Sequence, residues 1–335
     1  MQAVRKLKGQ IRFLIAAIAL AMLTCAMPSR AWSASQSLWV AYSQGGGIES
    51  YSTKQLKKSG MPTPIDLSTY QYATGVAFDA SGNLWAVVLQ NDIVEFTAAQ
   101  LKDLKSNPSP TPVVIITTTA GAEGLFGCAF DPDGNLWVAD ADGDMILELS
   151  KAQLAAGSAT GVTPTAFIYT TDFAFPAFIT FDQDGNAWVT SQGISKLVEL
   201  TASQLTTGGT KTAAVVLSDD GSGTSLDLPG EIAFDKKGDL RVPNFSSNTV
   251  VEYAKGQITS SGDPAPAVKL SSAAFDGPFG AVFDSKGDLV IMNYHDAKIE
   301  KFTAKQIKKS GSPSPKVTVT GTGSTNYQII FGPAS

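Results

Sequence analysis

The chain has 335 residues, of which 43% are hydrophobic and 16% are charged. Its 25 Lys and Arg residues against 30 Asp and Glu residues give a formal net charge of −5, and this acidic balance argues against a nucleic-acid partner. A length of roughly 300 residues after processing could form two domains, but the regular repeat in this sequence favours one.

Residues 1–31 have the pattern of a signal peptide. An apolar stretch from Phe13 to Leu23 follows a basic n-region, and Ser29 and Ala31 supply small residues at the spacing that a signal peptidase requires. The n-region consists of Arg5, Lys6, Lys8 and Arg12. We therefore expect a secreted or periplasmic mature protein without a transmembrane segment, and lipid attachment through Cys25 is the alternative.

Loss of residues 1–31 would change both the charge and the cysteine content. It removes five basic residues and no acidic ones, so 20 basic against 30 acidic residues give a net charge of −10. Cys128 would then be the only cysteine, which excludes an intramolecular disulfide bond.

A repeat of about 50 residues covers the rest of the chain. Its marker is a Phe-Asp pair followed by a Gly-containing turn and a Leu-Trp-Val type of strand, and the phenylalanines recur at steps of 52, 51, 53 and 49 residues. They are Phe78, Phe130, Phe181, Phe234 and Phe283. A third strand with Glu in phase and a fourth strand after a proline-containing loop complete each copy, so the repeat is typical of a β-propeller blade.

The number of blades follows from the second strand, which occurs six times. Leu38-Trp39-Val40 begins the first copy without a preceding Phe-Asp strand, whereas Tyr327 to Phe331 is a first strand without a successor. The two ends therefore complete one blade. The sequence predicts an all-β fold: a single six-bladed β-propeller domain over residues 37–335, with four-stranded antiparallel blades and a ring closed by the terminal strands.

Two further periodic features indicate structure rather than ligand binding. Four tryptophans fall at one position of the repeat and are expected to pack between neighbouring blades. Ser or Thr followed three residues later by Gln is a capping box, which predicts one helical turn after each third strand. The boxes begin at Ser52, Thr97, Ser150, Thr201 and Thr303.

A ligand site is expected where the repeat breaks down, in the loops after each second strand. These loops lie at the central mouth on the face opposite the Asp-Gly turns, and we predict ligand contacts from Gln44, Gln90, Asp140, Asn244, Asn293 and His295. Asn and Gln both donate and accept hydrogen bonds, so a small polar ligand, a carbohydrate or a protein or peptide is the expected partner. His295 is the best catalytic candidate, because histidine titrates near neutral pH.

A divalent cation, calcium or magnesium, is the one cofactor that these residues suggest. Its candidate ligands are Asp140, Asn244 and Asn293, and Asp140-Ala-Asp142-Gly-Asp144 has the acidic spacing of a calcium loop without the distal glutamate. Ordinary turn chemistry explains the same spacing. A catalytic site would require at least three of Asp140, Asn244, Asn293, His295 and Glu231 to converge.

From Ser37 to Ser335 the chain resembles proteins built from NHL repeats. The resemblance lies in three motifs of the repeat: the Asp-x-x-Gly-Asn turn, the Leu-Trp-Val strand and the Ile-x-x-Phe strand. It is also similar to the wider propeller group of gluconolactonase and senescence-marker-protein enzymes, and to the streptogramin lyases. The resemblance implies the six-bladed fold and leaves two functions open. One is a binding or scaffold module that uses the central mouth, and the other is a metal-assisted lactonase or a streptogramin-lyase-like enzyme.

The sequence departs from both enzyme groups at the residues that carry their chemistry. The resemblance to gluconolactonases implies a central metal held by Glu, Asn and Asp, but the Asn-Asp-Gly and Glu-Gly-Pro signatures are missing. The resemblance to streptogramin lyases implies more than one functional histidine, whereas His295 is the only histidine in this chain.

Overall fold

A computed structural model describes residues 36–44, 47–67, 69–70, 72–88, 91–119, 124–223, 225–321 and 325–335. The predicted signal peptide lies outside these residues. The described residues form six β-sheets, which are the blades of a six-bladed β-propeller, and the predicted fold is confirmed.

Blades are numbered from the start of the chain. Blade 1 contains β1 (Gln36–Gln44), β2 (Ile48–Ser52) and β3 (Ile65–Leu67). Blade 2 contains β4 (Ala73–Phe78), β5 (Leu84–Val88), β6 (Asp92–Phe96) and β7 (Val114–Thr118). Blade 3 contains β8 (Leu125–Phe130), β9 (Leu136–Asp140), β10 (Met145–Leu149) and, after the short β11 (Ala159–Val162), β12 (Ala166–Tyr169).

The second half of the ring has the same order. Blade 4 contains β13 (Pro176–Phe181), β14 (Ala187–Ser191), β15 (Lys196–Leu200) and, after β16 (Gly209–Thr210), β17 (Val215–Leu217). Blade 5 contains β18 (Ala233–Phe234), β19 (Leu240–Asn244), β20 (Thr249–Tyr253) and β21 (Val268–Leu270). Blade 6 contains β22 (Pro278–Phe283), β23 (Leu289–Asn293), β24 (Lys298–Phe302) and β25 (Val317–Thr320), and the chain ends in β26 (Thr325–Pro333).

Short helices follow the third strands. Three are α-helical: α1 (Ala98–Lys102), α2 (Lys151–Ala155) and α3 (Ala202–Leu205). Single 3-10 turns follow the third strand at Gln55–Lys57, Lys255–Gln257 and Gln306–Lys308, whereas another, Gln192–Ile194, lies between the second and third strands of blade 4. None of the helices in the described ranges is long and apolar enough to cross a membrane.

The terminal strands close the ring as the sequence predicts. Strand β26 pairs antiparallel with β1, with Trp39 opposite Ile330, and becomes the innermost strand of blade 1. The indole Nε1 of Trp39 also donates a hydrogen bond of 3.1 Å to the carbonyl of Pro333. Backbone and side-chain hydrogen bonds therefore both connect the two terminal strands in the closing blade.

The Asp-Gly turns position the tryptophans. In blade 2, Asp79 Oδ1 accepts from the Ser81 and Asn83 amides, while its Oδ2 accepts from Asn83 Nδ2 at 2.9 Å and from Trp85 Nε1 at 3.3 Å. The Trp85 ring meets Phe130 of blade 3 edge-on, with centroids 6.3 Å apart. The prediction that these tryptophans pack between blades is confirmed.

The capping boxes are present, and their glutamines have an additional role. Around α1, the Gln100 amide donates to Thr97 Oγ1 at 3.2 Å and Gln100 Oε1 accepts from the Thr97 amide at 2.8 Å. At Thr201 and Thr303 the cap amide also donates to the glutamine side chain, but the glutamine amide bonds the cap carbonyl instead of the hydroxyl. In all six blades the glutamine Nε2 then donates to a carbonyl in the loop before the fourth strand, at 2.6–2.8 Å. Glutamate lacks that donor, which explains why glutamine recurs at this position.

Loops from the following blade cover the outer strands. Strand β11 of blade 3 pairs in parallel with β7 of blade 2, and β16 pairs in the same way with β12. Ser158 Oγ accepts from the Ile115 amide at 3.0 Å, and Ser59, Ser261 and Ser310 make the corresponding bond at other seams. These straps protect exposed strand edges, and the repeat pattern of the sequence does not predict them.

Candidate functional site

Two faces follow from the strand directions. First strands begin and second strands end on the top face, whereas the Asp-Gly turns and capping helices lie on the opposite turn face. The predicted ligand contacts belong to the top face.

The predicted contacts at the ends of the second strands are buried. Asp140, Asn244 and Asn293 are each 0% exposed. Asn244 Nδ2 donates to the Ser225 carbonyl at 3.2 Å, and Asn293 Nδ2 donates to the Ala274 carbonyl at 2.7 Å. Both asparagines therefore hold the lead-in loop, which is the loop that precedes the first strand of their own blade.

Asp140 caps the loop that follows it. Its Oδ1 accepts from the Gly143 amide at 2.9 Å, while Oδ2 accepts no hydrogen bond within the described residues. Burial raises the pKa of this carboxyl, and the nearby Asp142 and Asp144 charges act in the same direction. Among the described residues, no three His, Cys, Asp or Glu side chains are grouped to hold a metal ion, and the divalent-cation site stays a prediction.

His295 is the predicted contact that lies exposed on the top face. Its ring packs on Phe245 with centroids 5.1 Å apart and on Tyr294 at 5.4 Å. Gly277 makes room for it: a Cβ there would lie 2.8 Å from His295 Cδ2, and its φ of +65° suits glycine. Gln90 lies outside the described residues, and so does the side chain of Gln44.

An axial layer, which the sequence analysis missed, lies beneath this face. It consists of the residue three places before each repeated phenylalanine: Gly75, Gly127, Phe178, Glu231, Gly280 and Gln328. A Cβ on Gly127 would lie 2.6 Å from Phe178 Cδ1, and one on Gly280 would lie 3.3 Å from Glu231 Oε2. Gly127 and Gly280 thus leave space for Phe178 and Glu231, whereas a Cβ on Gly75 would meet the Phe126 carbonyl oxygen at 2.5 Å.

Contacts between blades that are not neighbours show that this layer crosses the centre. Gln328 of blade 1 donates from Nε2 to the Cys128 carbonyl of blade 3 at 3.2 Å, and its Oε1 accepts from the Val76 amide at 2.9 Å. Glu231, which leads into blade 5, accepts from the Ile329 amide of blade 1 at 2.9 Å. The rings of Phe178 and Phe279, from blades 4 and 6, lie 5.2 Å apart.

Burial dominates the electrostatics of this layer. It raises the pKa of Glu231 well above its ordinary range, although hydrogen bonds from Ile329 and Gln328 oppose the shift. It also raises the pKa of the Cys128 thiol, with the Glu231 charge as a lesser cause. Glu231 therefore lies buried near the axis, where burial disfavours its charged form, instead of at the rim of the mouth.

Hydrogen bonds between blades hold two apolar residues out on the top face. Phe175 and Leu228 precede prolines and have left-handed backbones, with φ of 52° and 50°. The Phe175 amide donates to Asp144 Oδ1 at 2.8 Å, and the Leu228 amide donates to Ser195 Oγ at 3.0 Å. Bulky side chains rarely adopt this conformation, so the neighbouring blade enforces it.

These residues belong to an apolar arc across blades 3 to 5, formed by Phe126, Phe175, Ile194, Leu228 and Phe245. The rings of Phe126 and Phe175 lie 5.2 Å apart, the Gln192 amide beside Ile194 donates to the Phe175 carbonyl at 3.1 Å, and the Phe245 amide donates to the Leu228 carbonyl at 3.2 Å. Seven large hydrophobic residues are exposed in the described ranges, and five of them lie on the top face. They are Tyr72, Tyr169, Phe175, Ile194 and Leu228.

The fold is that of the six-bladed β-propellers. A chain of a nidogen/laminin complex has a TM-score of 0.58 at 14% identity, with coverage of 89% of this chain and 98% of that chain. A protein of unknown function from Bacteroides caccae has a TM-score of 0.56 at 15% identity, with coverage of 89% and 99%. A streptogramin B lyase has a TM-score of 0.51 at 14% identity, with coverage of 83% and 87%.

Comparison at the level of sequence adds no relative. No protein-family model matches the chain, and no curated protein matches it. The similarity to solved structures therefore concerns the fold alone.

Proposed function

We propose that the protein is an exported binding module that holds a peptide or protein segment against the apolar arc of its top face. The observation that carries this proposal is the arrangement of Phe175 and Leu228, which are 37% and 36% exposed in strained backbone conformations. Strain of this kind persists where the surrounding structure enforces it, and it is concentrated at functional sites. Exposed apolar groups collected on one face are typical of protein interaction sites.

The predicted site residues have two roles in this proposal. His295 contacts the ligand at the end of the arc, where it offers a hydrogen-bonding edge beside Phe245. Asp140, Asn244 and Asn293 act as positioning residues, because they hold the loops that surround the mouth. Gln44 and Gln90 stay predicted ligand contacts. The signal-peptide pattern of residues 1–31 supports export.

Peptide display on the full chain tests the proposal. A selected, fluorescently labelled peptide should bind about tenfold or more weakly when Phe175→Asn and Leu228→Asn are combined, because interface anchors carry most of the binding energy. Asparagine tolerates the left-handed backbone, so the loops should keep their conformation. The matched control combines Met61→Asn and Val113→Asn, which remove exposed apolar side chains from the turn face. Equal weakening by both double variants contradicts the proposal.

An enzyme is the second candidate, and Glu231 is the observation that favours it. A buried carboxyl with a raised pKa near a ligand mouth is suited to general acid catalysis. A lyase or lactonase activity would be detected by mass spectrometry of products after incubation with a streptogramin B or an aldonolactone. Glu231→Gln should abolish that turnover, and turnover unchanged in this variant would remove Glu231 from the reaction.

A further inference from the structure

A cavity of about 260 Å³ lies between blades 4 and 5 on the turn face, opposite the proposed peptide site. Blade 4 contributes Asp182, Asp184, Trp188 and Glu199 to its lining, and blade 5 contributes Phe234 and Lys255. Trp188 and Phe234 meet edge-on with centroids 6.1 Å apart, so the cavity has an apolar side and an acidic side. Asp184 and Lys255 are exposed, which places them at an opening to solvent.

Two carboxylates of the cavity differ in their hydrogen bonding: one accepts several hydrogen bonds from neutral groups of the protein, and the other accepts none from the described residues. Asp182 accepts from the Asp184 amide, from both nitrogens of Asn186 and from Trp188 Nε1. The Glu199 carboxylate accepts no hydrogen bond from the described residues, whereas Glu95, at the same position of blade 2, accepts from Asn83 Nδ2 at 2.8 Å. Burial, with Asp182 and Asp184 nearby, raises the pKa of Glu199 to about 6.

At the next seam around the ring, a guanidinium pairs with the counterpart of Glu199. At the blade 5–blade 6 seam, Arg241 takes the tryptophan position, and its guanidinium pairs with Glu252, the counterpart of Glu199. The same Nη2 donates to the Ile307 carbonyl at 2.8 Å. Ile307 is the counterpart of Ile258, which lines the cavity. At the blade 5–blade 6 seam, the guanidinium therefore bridges Glu252 and Ile307. Their counterparts, Glu199 and Ile258, line the cavity at the blade 4–blade 5 seam.

In blade 6 a lysine neutralises the acidic Asp-Gly turn. Lys301 takes the glutamate position, and its Nζ donates to Asp284 at 2.7 Å and contacts Asp288 at 3.2 Å. In blade 5 an internal cation thus pairs with the third-strand glutamate, and in blade 6 one pairs with the acidic turn, whereas in blade 4 the acidic groups face a cavity.

We propose that the cavity binds a guanidinium group, carried by a small molecule or by an arginine side chain of a peptide. Glu199 pairs with the cation, and Phe234 packs against its alkyl stem. Lys255 at the rim opposes binding through its like charge. The site is independent of the peptide site on the top face.

Isothermal titration calorimetry of the full chain tests this inference with n-butylguanidinium and its neutral isostere n-butylurea. Only the guanidinium should bind in a saturable manner. Glu199→Gln should weaken its binding about tenfold or more, since a charge-assisted hydrogen bond is lost, while Lys255→Met should strengthen it a few-fold. Glu148→Gln is the matched control, because it removes the same charge at the same repeat position of blade 3 and should leave affinity unchanged.

An acetylated and amidated Gly-Gly-Arg-Gly-Gly peptide separates the two sources of the guanidinium. Binding tighter than that of n-butylguanidinium indicates a peptide ligand, and equal or weaker binding indicates a small molecule. The inference is overturned if n-butylurea binds as well as n-butylguanidinium, if neither binds, or if Glu148→Gln weakens binding as much as Glu199→Gln.

Discussion

Gln328 and Cys128 lie 200 residues apart in the sequence, yet the amide side chain of Gln328 pairs with both backbone groups of Cys128 near the propeller axis. Nε2 donates to the Cys128 carbonyl at 3.2 Å, and Oε1 accepts from the Cys128 amide at 3.3 Å. The same Oε1 accepts from the Val76 amide. One side chain of the closing strand therefore ties blade 1 to blades 2 and 3.

Replacement of Gln328 by leucine should destabilise the protein. The variant would leave buried backbone groups of Val76 and Cys128 unpaired, and we expect a loss of roughly 2–5 kcal/mol in the free energy of unfolding. Chemical denaturation measures this change. Gln183→Leu, at an exposed position, is the control and should change stability by less than about 0.5 kcal/mol. A similar small change for Gln328→Leu would show that the axial hydrogen bonds do not support the fold.

The repeat pattern predicts the architecture because the same local rules operate in every blade. The spacing of Phe78 and its counterparts gives the six blades, and the unpaired first copy at Trp39 gives the closure with β26. Trp85 and Thr97 have the predicted roles because turn, cap and aromatic packing depend on nearby residues.

The candidate site is less predictable, since residue type does not determine where a side chain points. Asn244 and Asn293 are polar residues at a variable position of the repeat, which predicts ligand contact, but in the structure their side chains hold loops. Glu231 follows a lead-in loop, and because these loops differ in length between blades, counting from the preceding strand does not give its position in the repeat. Alignment on the following phenylalanine instead gives its place in the axial layer. The left-handed conformations of Phe175 and Leu228 have no local sequence signal beyond the following proline.

Removal of the closing strand should abolish cooperative folding. A chain that ends at Gly321 lacks β26, so β1 loses its inner partner and Trp39 loses its hydrogen bond to Pro333. We expect a broad, non-cooperative thermal transition by circular dichroism. A chain that lacks only Ser335 is the control and should melt like the full chain. Equal melting of the chain that ends at Gly321 would show that closure contributes nothing.

Loss of a cap hydroxyl should have a smaller effect. Thr97→Ala or Ser150→Ala should each lower stability by about 0.5–2 kcal/mol, because the hydroxyl accepts from the amide of the third helical residue. Lys102→Ala, at an exposed position of α1, is the control. Stability that is unchanged in both cap variants would mean that these hydrogen bonds are energetically neutral.

Glu199 should make stability depend on pH. Its pKa is about 6 in the folded protein against an ordinary value of 4.5, so folding takes up a proton between these values. The free energy of unfolding therefore falls as the pH rises through this range. Glu199→Gln should melt at a higher temperature than the natural chain above pH 6, and the difference should disappear below pH 4.5. A constant difference at every pH would contradict the assigned pKa.

The location of the bound ligand tests the central claim most directly. A display-selected peptide that carries a benzophenone group should be photo-cross-linked to the full chain, and the modified residues should be identified by mass spectrometry. Our account predicts cross-links in the loops that carry Phe175, Ile194 and Leu228. Cross-links confined to the turn face, around Met61 and Val113, would contradict it.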